Sequence, residues 1–227
     1  MKAMLLAAGR GERMGELTLK TPKPLLPVHG KPLLWHHLNR LSHAGFKEVV
    51  INTSYLGEQI QNYVGDGARW NLQVKCTCEP ERLETAGGIL NALPLLGKQP
   101  FLVINGDVWT DYPIEQIPRS IPGLAHLILV DNPLHHPEGD FAFSGNEGVT
   151  TGKVLPEGKN KLTFSGLSVL SPDLFNTCKP GPQPLAPLLR SAMNKSLVTG
   201  EHYQGVWIDV GTPERLQQVA PLVKAGS

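Results

Sequence analysis

Four short apolar runs, at 2–8, 48–53, 72–78 and 100–105, are separated by stretches with helical spacing. Between 32 and 44, Leu33, Leu34, His37, Leu38 and Leu41 recur at the helical period until Gly45 stops the pattern, and 58–64 and 85–96 read as further helices. Strands alternating with helices need crossover connections, so the first half predicts a parallel sheet with helices on both faces. The second half is richer in strands. Residues 125–130, 140–144, 149–155 and 161–170 read as strands joined by turns, 182–194 as a helix and 206–210 as a last strand. A helix then starts with Thr212 as N-cap, Pro213 at its first position and Glu214 in its first turn. One domain over 1–227 is expected, with an α/β nucleotide-binding half (about 1–110) and a β-richer substrate half (about 111–227).

Composition narrows the partners. Hydrophobic residues make up 41% and charged residues 18%, which suits a folded core. Lys and Arg number 21 against 20 Asp and Glu, so no basic excess points to a nucleic-acid partner. No apolar run approaches the ~20 residues of a membrane span, and the stretch 2–8 is too short for a signal segment. No membrane partner and a cytoplasmic location are expected. Three cysteines make no disulfide framework. Cys76 and Cys78 share one face of a strand-like run and read as reduced thiols. The pairs His36–His37 and His135–His136 lack metal-ligand spacing and are set aside.

The chemistry gathers in four places. The loop Gly9-Arg10-Gly11-Glu12-Arg13-Met14-Gly15 follows the first strand. It fails the G-x-G-x-x-G dinucleotide pattern because position 14 is Met, and it lacks the G-K-[ST] of a Walker A loop. Its glycines still let backbone N–H groups approach an anion, and Arg13 adds charge. Next, Pro22-Lys23-Pro24 is expected to hold Lys23 on a stiff, extended strut. Asn105-Gly106-Asp107 ends the fourth strand, where open α/β sheets bind ligands, and Asp107 can reach a hard cation. Finally, Asp209 interrupts the apolar run 206–210, so it needs a partner, for which a metal is a natural choice.

Taken in order, Ala7-Ala8-Gly9 through Met14, Pro22-Lys23-Pro24, Gly106-Asp107 and Trp207, Asp209, Gly211 and Thr212 resemble the sugar-1-phosphate nucleotidylyltransferases over nearly the whole chain. The nearest likeness is to the family's uridylyltransferase branch. It is carried by Glu84-Thr85-Ala86-Gly87-Gly88, by 105–111 and by Gly139-Asp140-Phe141. The resemblance implies a Rossmann-like, three-layer α/β/α fold on a mixed, mainly parallel sheet. It also implies UTP and a sugar 1-phosphate as substrates, and Mg²⁺ as cofactor. Ala7, Gly9, Gly11, Glu12, Arg13, Lys23, Glu79 and Thr85 would bind the nucleotide, Arg13 at its β and γ groups and Lys23, as a catalytic group, near the α-phosphate. Asp107 and Asp209 would hold the metal. Asn105, Asp140, Ser165 and Gly205 are the expected sugar-side residues. Many family members carry a Glu-Lys-Pro lysine for the sugar phosphate; this chain has none, and Lys153 is the expected substitute. No hexapeptide repeat is present, so no second acetyltransferase activity is expected.

Three rivals remain. A phosphocholine cytidylyltransferase shares the loop and the Pro-Lys element, with Trp109 and Trp207 as a possible ammonium cage. A regulator without catalysis need not keep Lys23, Asp107 and Asp209. A dinucleotide oxidoreductase conflicts with the failed fingerprint.

Overall fold

The computed structural model describes residues 1–145 and 150–223. In chain order the elements are β1 (Ala3–Leu6), β2 (Pro27–Val28), β3 (Lys31–Pro32), α1 (Leu33–His43), β4 (Glu48–Thr53), α2 (Gly57–Val64), β5 (Gln73–Cys78) and α3 (Glu84–Leu96). Then come β6 (Phe101–Asn105), β7 (Val108–Thr110), β8 (Ala125–Val130), β9 (Phe141–Ser144), β10 (Thr151–Leu155), β11 (Lys161–Leu170), α4 (Leu185–Asn194), β12 (Val198–Tyr203), β13 (Trp207–Asp209) and α5 (Pro213–Val219).

Strand β1 is apolar throughout because both its faces are covered. It lies between β4 and β6, parallel to each, in a sheet ordered β5-β4-β1-β6-β11-β8-β12-β10-β9. Alternate residues divide between two cores. Ala3, Leu5, Val49, Ile51, Leu102 and Ile104 pack with Leu34, Leu38 and Leu41 of α1 and Ile60 of α2. Met4, Val50, Phe101 and Val103 pack with Ile89 and Leu96 of α3 and with Leu189 and Met193 of α4. This is the period of two that puts successive strand residues on opposite faces, and it yields three layers, helix on sheet on helix.

The sheet is mixed. It is parallel from β5 to β6. Strand β11 then runs antiparallel to both β6 and β8, and β12 is parallel to β8. Reversing twice leaves β8 and β12 pointing the same way as β1 and β6. The C-terminal ends of all these strands, and the loops that follow them, therefore meet at one edge. A short ladder of β7 with β13 fastens the C-terminal segment beside the turn after β6. Val28, Leu33, Val210, Val219 and Val223 form a third apolar cluster that seats α5 there.

Several expectations need correction. The loop after β1 is partly ordered: 3₁₀ segments at Glu12–Thr18 and Lys23–Leu25 follow, and then the β2–β3 hairpin. The Lys23 strut is not extended. Pro22 is extended, but Lys23–Leu25 form a 3₁₀ turn closed by Leu25 N–H to Pro22 O at 2.8 Å and Leu26 N–H to Lys23 O at 3.1 Å. The φ that a proline ring fixes suits the first turn of a helix as well as an extended chain. Strand β12 escaped the sequence reading because Glu201, His202 and Tyr203 break its apolar character, and it pairs with β8 all the same. Val149 lies outside the described residues. No described helix is long and apolar enough to cross a membrane.

Candidate active site

Two cavities open along the edge where the strand ends meet. The first, about 260 Å³, is lined by Ala7, Ala8 and Gly9 after β1, Asn52 at the end of β4, Glu79 after β5, Thr85 on α3, and Asn105, Gly106 and Asp107 after β6, with Lys23 across from them. It sits where the chain leaves β1 and returns on either side of it, at β4 and β6, which is where open α/β sheets bind ligands.

A buried network sets its shape. Asn52 Oδ1 accepts the Ala7 N–H at 2.9 Å, and Asn52 Nδ2 donates to Glu79 Oε1 at 2.7 Å. Glu79 Oε2 accepts the Leu83 N–H at 3.3 Å, just ahead of α3. Both carboxylate oxygens of Glu79 are thus engaged by protein donors, as burial of a charge requires. Helix α3 comes close enough only because position 88 is glycine: a Cβ there would stand 2.5 Å from Glu79 Oε1 and 2.9 Å from Asn52 Nδ2. Gly106 is constrained in the same way, since its Cβ would meet the Leu6 carbonyl at 2.5 Å.

Lys23 is buried, and its ammonium donates to Asp107 Oδ2 at 2.8 Å. Gly11 does not line the cavity. It adopts φ +71°, with its Cα pressed against Lys23, where a Cβ would be 3.1 Å from the lysine Cβ. Glu12 lies exposed on the outer side of its 3₁₀ segment. Behind Asp107, α1 buries His37, whose imidazole is pushed down to about 3 by burial first and by Arg40 second; burial also lowers His36. Arg40 donates to the carbonyl oxygens of Thr110, at 2.6 Å, and Tyr112, bracing the segment that follows β7.

Asp209 reaches the same place through β13. Val210 donates its N–H to the Asp107 carbonyl at 2.8 Å, so Asp107, in the turn just before β7, stands beside Asp209 at the end of β13. Thr212 caps α5, its hydroxyl accepting the Arg215 N–H at 3.4 Å, and Arg215 Nη1 returns to Asp209 Oδ2 at 2.9 Å. Gly211 leaves room for this convergence: its Cβ would lie 2.5 Å from Arg215 Nη2, 3.0 Å from Asp209 Oδ1 and 3.1 Å from Arg13 Nη2.

The second cavity, about 370 Å³, shares Asn105 and Asp107 with the first. Arg13, Asp209, Thr163, Ser165, Phe164 and Trp207 add to its walls, and Pro133, His135 and His136 form its rim. Asp140 does not line it. Its Oδ2 accepts the Phe164 N–H at 2.8 Å and its Oδ1 lies 3.2 Å from His136 Nε2, so it braces the wall from behind. Gly205 lies outside as well, in a turn packed on the Tyr203 ring. Lys153 is far from both cavities. Its register runs through Thr199 to His126, near the N-terminal end of β8 and away from the edge that carries the site. The tryptophans form no cage: Trp207 lines the second cavity, its indole N–H on the Ser165 carbonyl at 2.8 Å, whereas Trp109 turns toward His36 and the third cluster.

The sequence reading missed Asn52, His135, His136 and Arg215. A polar residue ending the apolar strand 48–53 was a usable signal for Asn52. The histidines carried none, since only the topology brings the loop after β8 to this edge.

Residues 2–130 match the family model described as "Nucleotidyl transferase". The chain is 50% identical, over 99% of both chains, to an N-acetylmuramate alpha-1-phosphate uridylyltransferase of Neisseria meningitidis serogroup B. It is 31% identical to the protein of that name from Caulobacter vibrioides, over 98% of this chain and 97% of the other. The fold is also that of a putative glucose-1-phosphate thymidylyltransferase from Bacillus anthracis, with a TM-score of 0.86 at 20% identity over 100% and 98% of the two chains. With a glycine loop, a buried lysine and two aspartates meeting at one sheet edge, and with relatives alike from end to end, the chain belongs to the nucleotidyl transferase family.

Proposed function

We propose that this enzyme transfers UMP from UTP to N-acetylmuramate α-1-phosphate, giving the UDP-sugar and pyrophosphate, in the reuse of peptidoglycan sugars. The observation that carries the reading is that Asp107 is shared by two cavities, one suited to a nucleotide with Lys23 in its wall and one suited to an acceptor with Asp209 in its wall. The full-length likeness to uridylyltransferases of that name supports the substrate pair. The reaction occupies a single domain, with the nucleotide held by about 1–110 and the sugar by about 111–227.

The phosphate oxygen of the acceptor attacks the α-phosphorus in line. The new P–O bond forms as the bond to the β-phosphate oxygen breaks, and pyrophosphate departs. A sugar phosphate is already ionised, so no general base is needed. Catalysis then rests on positioning and on neutralising charge. The backbone at Gly9 approaches the triphosphate, with Arg13 toward its β and γ groups. Lys23, placed by its 3₁₀ turn, faces the α-phosphate. Ala7, Gly9 and Thr85 face the base, and Glu79, with both oxygens engaged, shapes that pocket rather than reading it. Asn105 and Ser165 meet the sugar.

Asp107 and Asp209 suit Mg²⁺, which takes one or two carboxylates and fills its remaining positions with phosphate oxygens and water. Among the described residues no group of three or more His, Cys, Asp or Glu side chains gathers around a point. When bound, the cation withdraws charge from the phosphate oxygens between the two substrates.

A panel of four nucleoside triphosphates against several sugar 1-phosphates, read by pyrophosphate release, tests the reading. The highest kcat/KM is expected for UTP with N-acetylmuramate 1-phosphate, and none for CTP with phosphocholine. A clear preference for another pair overturns the substrate assignment.

A further inference from the structure

His135 stands at the rim of the acceptor-side cavity, and its hydrogen bonding fixes which ring nitrogen carries the proton. Arg215 Nη1 lies 2.8 Å from His135 Nε2. A guanidinium only donates, so Nε2 accepts and the proton of the neutral ring sits on Nδ1. The arrangement is braced from below. Arg215 is held by Asp209 Oδ2 at 2.9 Å and stands in the first turn of α5, under the Thr212 cap. The product is an oriented N–H donor on a half-exposed ring, its side chain 47% accessible, with a guanidinium against its far nitrogen.

Of the other lining residues Arg13 is the one with a permanently charged donor, and the reading above directs it to the triphosphate. Asp107 and Asp209 mark the phosphate end. Asn105, Thr163 and Ser165 offer neutral groups that suit sugar hydroxyls. His136 is turned to Asp140. Asp209 also lies 3.8 Å from His135, but its charge is met by Arg215, with the Arg13 guanidinium on the same side of Gly211. A plain N-acetylated hexose 1-phosphate carries no charge away from its phosphate. N-acetylmuramate carries one, the carboxylate of its lactyl ether, and that ionised acceptor makes a strong hydrogen bond with a fixed N–H donor.

Resting on the acceptor proposed above, we infer that His135, through Nδ1–H, receives the lactyl carboxylate and sets the preference for a carboxylate-bearing sugar 1-phosphate. Arg215 is the positioning residue, holding the ring by its other nitrogen.

The test compares kcat/KM for N-acetylmuramate 1-phosphate and N-acetylglucosamine 1-phosphate, each with UTP, in wild type, His135→Ala and His135→Gln. Thermal melts check that the variants are folded. The alanine variant is expected to lower the ratio of the two values by about 10- to 100-fold, the worth of one hydrogen bond to a charged group, chiefly through the KM of the carboxylate-bearing acceptor. Glutamine can accept from Arg215 and donate through its amide, so His135→Gln keeps most of the ratio. A merely structural role would lower both acceptors together and leave the ratio unchanged, and that result overturns the inference while the proposed substrate stands. A wild type with no preference for N-acetylmuramate 1-phosphate overturns both.

Discussion

The Lys23 ammonium closes on the Asp107 carboxylate at 2.8 Å, although 84 positions separate them in the chain. The two partners differ in exposure: the lysine side chain is 8% accessible and the aspartate 38%. The cation is therefore fixed in the wall while the carboxylate keeps a face toward the cavities. Charge placed in advance of the reaction needs no reorganisation when negative charge develops at a phosphorus centre.

Lys23→Ala is accordingly expected to lower kcat by about 10²-fold or more, by analogy with loss of one oxyanion donor. Steady-state kinetics with UTP varied separates the two roles open to this lysine. If only the KM for UTP rises, Lys23 binds the ground state and its transition-state role is wrong. Lys23→Arg should rescue little, because a planar fork does not fit a slot shaped around an ammonium.

Asp107→Asn and Asp209→Asn should each lose most of the turnover at saturating Mg²⁺ while melting near the wild-type temperature. Both aspartates also hold cations of the protein, Lys23 and Arg215, so the melts are part of the experiment. Full activity of the wild type in excess chelator would refute a metal role for the pair.

Asn52→Leu probes the frame behind the nucleotide cavity. The change orphans the buried Ala7 N–H and removes one partner from Glu79, which is 3% exposed. An unsatisfied buried donor costs about 1–3 kcal/mol, and a charged group more. Urea unfolding should register a loss of at least about 2 kcal/mol. A variant as stable as wild type would mean that water or a shifted backbone satisfies these groups.

How much of this was legible depended on where each residue's constraint lies. The strand–helix alternation of the first half was readable because buried parallel strands are apolar on both faces, as β1 and β4 are. Lys23, Asp107 and Asp209 stood out as charges beside prolines, glycines or apolar runs, where chemistry must compensate. The conformation at Lys23 was not readable, because flanking prolines permit an extended chain and a 3₁₀ turn alike. Lys153 was misplaced because its register, along Thr199 and His126, is decided by tertiary pairing. For the same reason nothing in the Pro-rich loop announced His135: only the double reversal at β11 turns the end of β8 toward the site.

The stability of the site should depend on acid in a way that belongs to His37. The unfolded ring takes its proton near 6.5, whereas burial, reinforced by Arg40, lowers the folded value to about 3. Above 6.5 both states are neutral and pH has no effect through this group. Between 6.5 and 3 the unfolded state binds a proton that the folded state refuses, so stability falls as pH falls, at up to about 1.4 kcal/mol per unit. His36 shifts in the same direction. Urea midpoints at pH 7.5, 6.0 and 5.0 should decline for the wild type, and His37→Leu should decline less, by about 1 to 2 kcal/mol over that range. The window stays above the ordinary carboxylate values, which keeps Glu157 and Glu214, both lowered by their hydrogen bonds, out of the comparison. Parallel declines for the two proteins would mean that the folded ring accepts its proton, and that α1 does not hold a neutral imidazole behind Asp107.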